Sequence, residues 1–549
     1  MKLDRRELIR MFGLTFVVSM YKSSPLSAFD FHSALASPLP RMPLYEFVKD
    51  PTLLDGLRLA VKEMKKRKPS DPLSWFYQAA IHGVTNEAIQ EALKSDSNVK
   101  KVLEKNIWNQ CPHNGQNSAN FLPWHRAYTY HVEKILRLHS GLDNFSTPYW
   151  DYIDKNSEDK RTFPREFGIK HLDGDQNNDN ESNINPLYLE ARDYYLTNYE
   201  HPFSEGLPLG ILSRDAVDIS QPLNSLVFFG KNEDEGIGGG IKDIDPTTRG
   251  LLEKYPHDQI HRAVGGIVID GNSGKESVGA MANPPTAAFD PIFSIHHSTI
   301  DWIWVKWSCI PGKRWGALPS DDWFNDKPWL FIDTDGKIIN EPRKSYFDHR
   351  ALGVSYKYED LNANTLQLPP ISLALHKSVN KFKYKTPRSI TDFNLQIVAS
   401  NTHRTVTKLT SDNLKKVFSK IRNIVTVNQS SRIILRLKDV RLGLVYGKGF
   451  NLYLTTNSEK EFTPEHPSFI GSITLFEHDH SHMFTANHQT NMSQPNPQSF
   501  DATKAFSQIN SYDNLALVII PFSLVELRTK DAKILNEQLK INGIEILEM

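Results

Sequence analysis

Cysteine is nearly absent. Cys111 and Cys309 are the two thiols in 549 residues, which excludes a disulfide scaffold and leaves at most one bridge. An excess of charge of either sign is also missing. Lys+Arg and Asp+Glu both total 64, so the chain carries no electrostatic footprint of a nucleic-acid partner or an acidic membrane surface. Its most basic patch, Lys62-Glu63-Met64-Lys65-Lys66-Arg67-Lys68, reads as a solvated helix end before Pro69. No apolar run reaches membrane length: Met11 to Met20 is about half of the roughly 20 residues a crossing needs. The loop Gly230 to Gly240 is glycine-rich but lacks both G-x-G-x-x-G and a lysine-serine phosphate cradle, which excludes a nucleotide there.

What is present is globular. Hydrophobic residues make up 39% and charged residues 23%, and the length exceeds one core, so about two to three domains are expected. Asp4-Arg5-Arg6-Glu7-Leu8-Ile9-Arg10 precedes the Met11–Met20 run, and Ala34-Leu35-Ala36 offers a small-x-small cleavage site. Residues 1–36 therefore read as a twin-arginine-like export signal with a periplasmic or secreted destination. An amphipathic N-terminal helix is the plain alternative.

Asp50 and Pro51 look like the cap and first position of a helix running to about Glu63. Pro72 to about Leu93 reads as a second, with His82 in its apolar stretch; by itself such a histidine is as a rule a core residue. After Cys111-Pro112-His113 and an Asn-rich loop, Pro123 marks the start of a helix to about Leu138. His125, Tyr128, Val132, Ile135 and Leu136 share one stripe of it. Glu133 lies two turns beyond His125 and about 80° round, placed either to orient a metal ligand or to form a structural ion pair. Residues 154–187, heavy in Asn, Asp, Lys and Glu, read as a surface excursion.

The most informative stretch is Pro256-His257-Asp258-Gln259-Ile260-His261, followed by Asp290-Pro291-Ile292-Phe293-Ser294-Ile295-His296-His297. Histidines four apart on a helix share a face. The spacing is not that of a zinc protease, because Asp258 stands where H-E-x-x-H needs glutamate. Imidazole-only ligation suits copper as well as zinc. Residues 247–264 read as one helix, kinked or restarted at Pro256. Asp301, one turn past His297, is spaced to hold the outer ring nitrogen of a ligand.

Together, Cys111-Pro-His113, Phe121-Leu-Pro-Trp-His125-Arg126, Glu253-x-x-Pro-His257-x-x-x-His261, Gly265-Gly266 and Asp290-Pro-Ile-Phe-x-x-His-His297-x-x-x-Asp301 resemble the tyrosinase and polyphenol oxidase family of type-3 dicopper proteins. The resemblance implies two copper ions, one on His82, His113 and His125, the other on His257, His261 and His297, with His296 as a neighbour and O2 as co-substrate. It implies that Glu253 holds the water that takes the phenol proton, a task Asp258 could share. It also implies a thioether between Cys111 and His113, with a free thiol or a bridge to Cys309 as alternatives. The His113–His125 spacing is longer than the family's, so an insertion must bulge within Asn114 to Asn120.

Asp321-Asp322-Trp323-Phe324 through Phe331-Ile332-Asp333 and Tyr356-Lys357-Tyr358 resemble plant-type polyphenol oxidases. The implied fold is α+β: a mainly α-helical dicopper core, a four-helix bundle holding six histidines, over residues 37–315. The insertion and Tyr-x-Tyr element then occupy 316–360, a linker 361–385, and an all-β sandwich or barrel 386–549. Ser431 to Leu442, Phe450 to Thr455, Phe469 to Phe476 and Leu515 to Val525 carry the strand signal. The resemblance implies that this C-terminal domain is an intramolecular shield over the site, with residues around Phe462 and Phe469 as plug candidates. His478, His480 and His482 alternate on one strand face as a copper-loading candidate, although a solvated polar turn explains them equally.

The implied activity is oxidation of small o-diphenols to o-quinones by O2, with or without hydroxylation of monophenols. A hemocyanin-like dioxygen carrier is the alternative. The export signal and a copper core without tandem repeats favour the enzyme.

Overall fold

The computed structural model describes residues 38–112, 118–175, 177–199, 206–230, 236–240, 249–269, 276–316, 318–360, 388–400, 402–409, 412–426, 431–442, 448–458, 461–474, 496–528 and 538–548. The expected export signal, His113 and therefore the expected thioether, the expected linker, and His478, His480 and His482 lie outside the described residues.

The N-terminal part is mainly helical, and the helices that frame the site are α1 (Pro51–Lys65), α2 (Trp75–His82), α3 (Phe121–Ser140), α4 (Gln259–Gly265) and α5 (Ile292–Cys309). Helix α1 starts where expected. The Asp50 carboxylate accepts from the amides of Thr52 and Leu53, at 2.9 and 3.4 Å, with Pro51 in the first turn. The helix read over Pro72 to Leu93 is two helices, α2 and Asn86–Ser95. A Cβ on Gly83 would stand 2.8 Å from the Pro285 Cα, so the chain needs glycine where it passes that backbone. Thr85 then caps the second helix through the Ala88 amide. Helix α2 therefore ends on His82, facing the Pro284–Pro285 turn.

The helix read over 247–264 is also broken. Helical residues Glu253–Asp258 are interrupted at Tyr255 (φ −136°, ψ 116°) before Pro256, and α4 follows. Its C-terminus is crowded. A Cβ on Gly265 would meet the Ala282 amide nitrogen, and one on Gly266 the Asp193 carboxylate. That carboxylate accepts from the amides of Ile267, Leu196 and Tyr195.

The C-terminal part is a sandwich of two four-stranded antiparallel sheets, as the strand pattern predicts. Its strands, after β1 (Gly210–Leu212) in the N-terminal part, are β2 (Arg388–Ser400), β3 (Thr405–Lys408), β4 (Ile433–Leu442), β5 (Lys448–Thr455), β6 (Phe469–Ile473), β7 (Asn496–Asp501), β8 (Ala516–Ser523), β9 (Val525–Leu527) and β10 (Gln538–Glu548). One sheet runs β7-β4-β10-β2, the other β6-β5-β8-β3. Between them lie Leu435, Leu437, Leu452, Leu454, Leu517, Ile519, Ile544 and Ile546, all fully buried. Strand β9 leaves the sandwich and pairs antiparallel with β1, Ile211 opposite Glu526.

A buried ionic cluster ties the helices together. Asp301 on α5 receives Arg126 of α3 at 2.6 Å, Tyr356 at 2.6 Å and Arg41 at 3.3 Å. Arg41 also reaches Glu133 at 2.8 Å, and Glu133 takes Arg137 and the Thr147 amide, both at 3.0 Å. Burial alone would raise the Asp301 carboxyl, but Arg126 and Arg41 hold it below the usual carboxylate range. Replacing Arg41 with methionine removes one charged partner from each of two buried carboxylates. The loss expected in thermal or denaturant unfolding is about 3–5 kcal/mol.

Candidate metal centre

Four helices deliver histidines to one buried region: His82 ends α2, His125 lies in the first turns of α3, His257 and His261 flank the start of α4, and His296 and His297 lie in α5. All six are at most 3% exposed. Two groups of side chains have ligand atoms close enough to share an ion: His257, His261, His296 and His297 in one, His82, Cys111 and His125 in the other. The groups abut. The His125 and His297 rings stack at 4.3 Å with 9° between planes. Phe293 packs on His297 at 4.2 Å and on His82 at 4.7 Å, while Phe121 packs on His125 at 4.4 Å and on His257 at 4.7 Å. Two phenylalanines thus wall the imidazoles from both sides.

Hydrogen bonds fix the tautomers. A carbonyl oxygen can only accept, so Nδ1 of His125 carries its proton toward Phe121 O (2.8 Å) and Nδ1 of His261 toward Met281 O (2.8 Å). His257 Nδ1 lies 2.8 Å from the Asp258 carboxylate and 3.3 Å from Glu253 O. In each of these rings the acceptor lone pair is therefore on Nε2. His261 Nε2 and His297 Nε2 stand 3.3 Å apart. Two nitrogens each about 2.0 Å from one tetrahedral ion would be separated by about the same distance. Burial pushes His125 and His261 down to about 3, and His296 and His297 well below their ordinary value. The rings are therefore neutral and able to bind metal at physiological pH. Donors of imidazole type, free of carboxylate, fit copper.

No disulfide joins Cys111 and Cys309. The Cys111 sulfur lies 3.4 Å from His125 Nε2. The two carboxylates expected to orient ligand rings sit elsewhere. Asp301 and Glu133 are held by the buried Arg126 and Arg41 and the partly buried Arg137, because guanidiniums outcompete a neutral imidazole for an anion. The alternative of a structural ion pair is the one found for Glu133. Glu253 and Asp258 are 1% and 0% exposed, and both pair with Arg249.

Two features escaped the sequence. His296 joins the second group, its Nδ1 3.0 Å from the buried Tyr152 hydroxyl; the doubled histidine was the available signal. The C-terminal sandwich also touches the segment before His257. The Tyr255 hydroxyl accepts from the Ser472 amide at 2.7 Å and donates to its carbonyl at 3.1 Å, and the Lys254 ammonium lies over the Phe500 ring. Phe462 and Phe469 pack on Tyr453, which alternates on β5 with the core residues Leu452 and Leu454.

Residues 72–309 match the family model of the common central domain of tyrosinase. A tyrosinase of Hahella sp. (strain CCB-MM4) is 28% identical over 334 residues, 58% of this chain and 62% of that protein, so the match spans under two thirds of that relative. The aureusidin synthase of Antirrhinum majus is 24% identical over 473 residues, 83% of this chain and 74% of that protein. Among solved structures, latent apple tyrosinase superposes with a TM-score of 0.52 at 19% identity, covering 94% of this chain and 98% of that one. Latent aurone synthase from its natural source gives 0.51 at 18%, covering 96% and 92%. These superpositions show the fold: a helical core followed by a β domain.

Neutral buried imidazoles make the metal-free chain acid-sensitive. With folded pKa values of about 3 against an ordinary 6.5 for His125 and His261, the unfolded state binds more protons between those limits. Stability is thus expected to fall as pH drops from 6.5 toward 3. Replacing both residues with glutamine should flatten that fall in pH-dependent unfolding curves.

Proposed function

We propose that this chain, a member of the tyrosinase family of type-3 copper enzymes, oxidises small o-diphenols to o-quinones with dioxygen. The stacking of His125 on His297 carries the reading, because it brings the two imidazole groups into contact inside one apolar chamber. On this reading His82, His113 and His125 hold one copper, and His257, His261 and His297 the other. A copper pair held there would accept both electrons released when one catechol becomes one quinone and pass them to dioxygen.

The chain's own residues prepare the rest. Phe293 and Phe121 keep the imidazoles dry and neutral. A phenol, with a pKa of about 10, must give up its proton before it binds a metal. Glu253, buried and four residues before His257, is the carboxylate proposed to receive it through a water. The same base would serve monophenols if they are hydroxylated.

The C-terminal sandwich is proposed as an intramolecular shield. The β1–β9 pairing, which joins the sandwich to the helical part, and the Tyr255–Ser472 hydrogen bonds, two residues before His257, support this. The Arg5–Arg6 leader supports export.

Reconstitution is expected to load about two coppers per chain and to produce quinone colour from catechol. His297→Ala should hold about one copper and lose colour formation. A chain that binds oxygen reversibly but leaves catechol untouched would be a carrier instead. Cleavage within 361–385 followed by removal of the C-terminal part should raise turnover of bulky diphenols, and unchanged rates would reject the shield.

A further inference from the structure

Two carboxylates flank His257, and one guanidinium holds both. Arg249 is 8% exposed. Its Nε donates to Glu253 Oε1 at 3.0 Å, and a terminal nitrogen pairs closely with Asp258 Oδ2. The other Asp258 oxygen, Oδ1, is the one at 2.8 Å from His257 Nδ1. Buried anions this close would repel each other and lose hydration without a shared cation. A planar fork of donors can satisfy two carboxylates in one fixed geometry, which an ammonium cannot.

We infer that Arg249 is a positioning residue of the metal centre, acting through Asp258 on His257. By fixing Oδ2 it turns Oδ1 to receive the His257 Nδ1 proton, and that bond aims His257 Nε2 into the chamber. By holding Glu253 through Oε1 it keeps the second carboxylate from competing for the same ring nitrogen. The two acids, interchangeable in the sequence, thereby take different tasks. Asp258 orients a ligand and is spent doing so. Glu253 is the one proposed for the substrate proton. The inference rests on the proposal that His257 binds copper.

Copper titration of the metal-free chain tests it without turnover. The wild type is expected to bind two coppers tightly. Arg249→Lys keeps the charge but loses the fork, and Asp258→Leu removes the acceptor. Each should weaken one copper by about 10–100-fold, the usual effect of losing a partner behind a ligand, and leave the other unchanged. The double variant should bind no more weakly than the worse single one, because both changes act through the same ring nitrogen. Two unchanged affinities with a lower melting temperature would make Arg249 a structural ion pair and overturn the inference. So would equal weakening of both coppers, or additive losses. If Arg249→Lys fails to fold, Asp258→Leu decides alone: an unchanged second affinity rejects the positioning role. A wild type unable to hold two coppers would instead defeat the reading of the centre itself.

Discussion

The ion pair between Arg126 and Asp301 sets the register on which everything else depends. Arg126 follows His125 on α3, and Asp301 lies one helical turn after His297 on α5. A 2.6 Å charge-assisted bond between them therefore fixes how α3 slides against α5, and with it the stacking of the two histidines. The Arg126 guanidinium also lies 3.4 Å above the Trp304 ring, which leaves it little room to swing away. Tyr356 and Arg41, far apart in sequence but bonded to each other at 3.0 Å, complete the set of partners around Asp301. The Tyr-x-Tyr element thus closes the core for a physical reason: its first hydroxyl is a ligand of the central carboxylate.

Much of this was legible from spacing. Histidines four apart around α4, the Pro-capped start of α1 and the apolar alternation of β4, β5 and β8 all appear where periodicity places them. Long-range competition was not legible. Nothing in the sequence near Asp301 announces Arg41, and so a carboxylate spaced to serve a histidine serves two arginines instead. The break at Gly83 was hidden for a similar reason, since the cause is the Pro285 backbone from a distant segment. Strands β2 and β10 went unread because their burial depends on partners across the sheet.

The histidines are neutral because they are buried, and they are buried because two phenylalanines and four helices pack around them. That single circumstance gives both the ligand chemistry and the acid sensitivity. It also explains why charge in the centre is confined to Glu253, Asp258 and Arg249, which balance one another beside His257. The apolar chamber and the ionic patch are adjacent but distinct, one suited to electron transfer and the other to protons.

Strands β8 and β9 belong to different bodies yet are separated by Leu524 alone, which is fully buried among core residues of the helical part. The Ser213 amide bonds to its carbonyl. A single inserted residue at this junction would invert the facing of β9 and lift Leu524 out of its socket. Gene lineages carrying this arrangement should therefore show a fixed length from Ser523 to Val525, however freely they drift in composition around it.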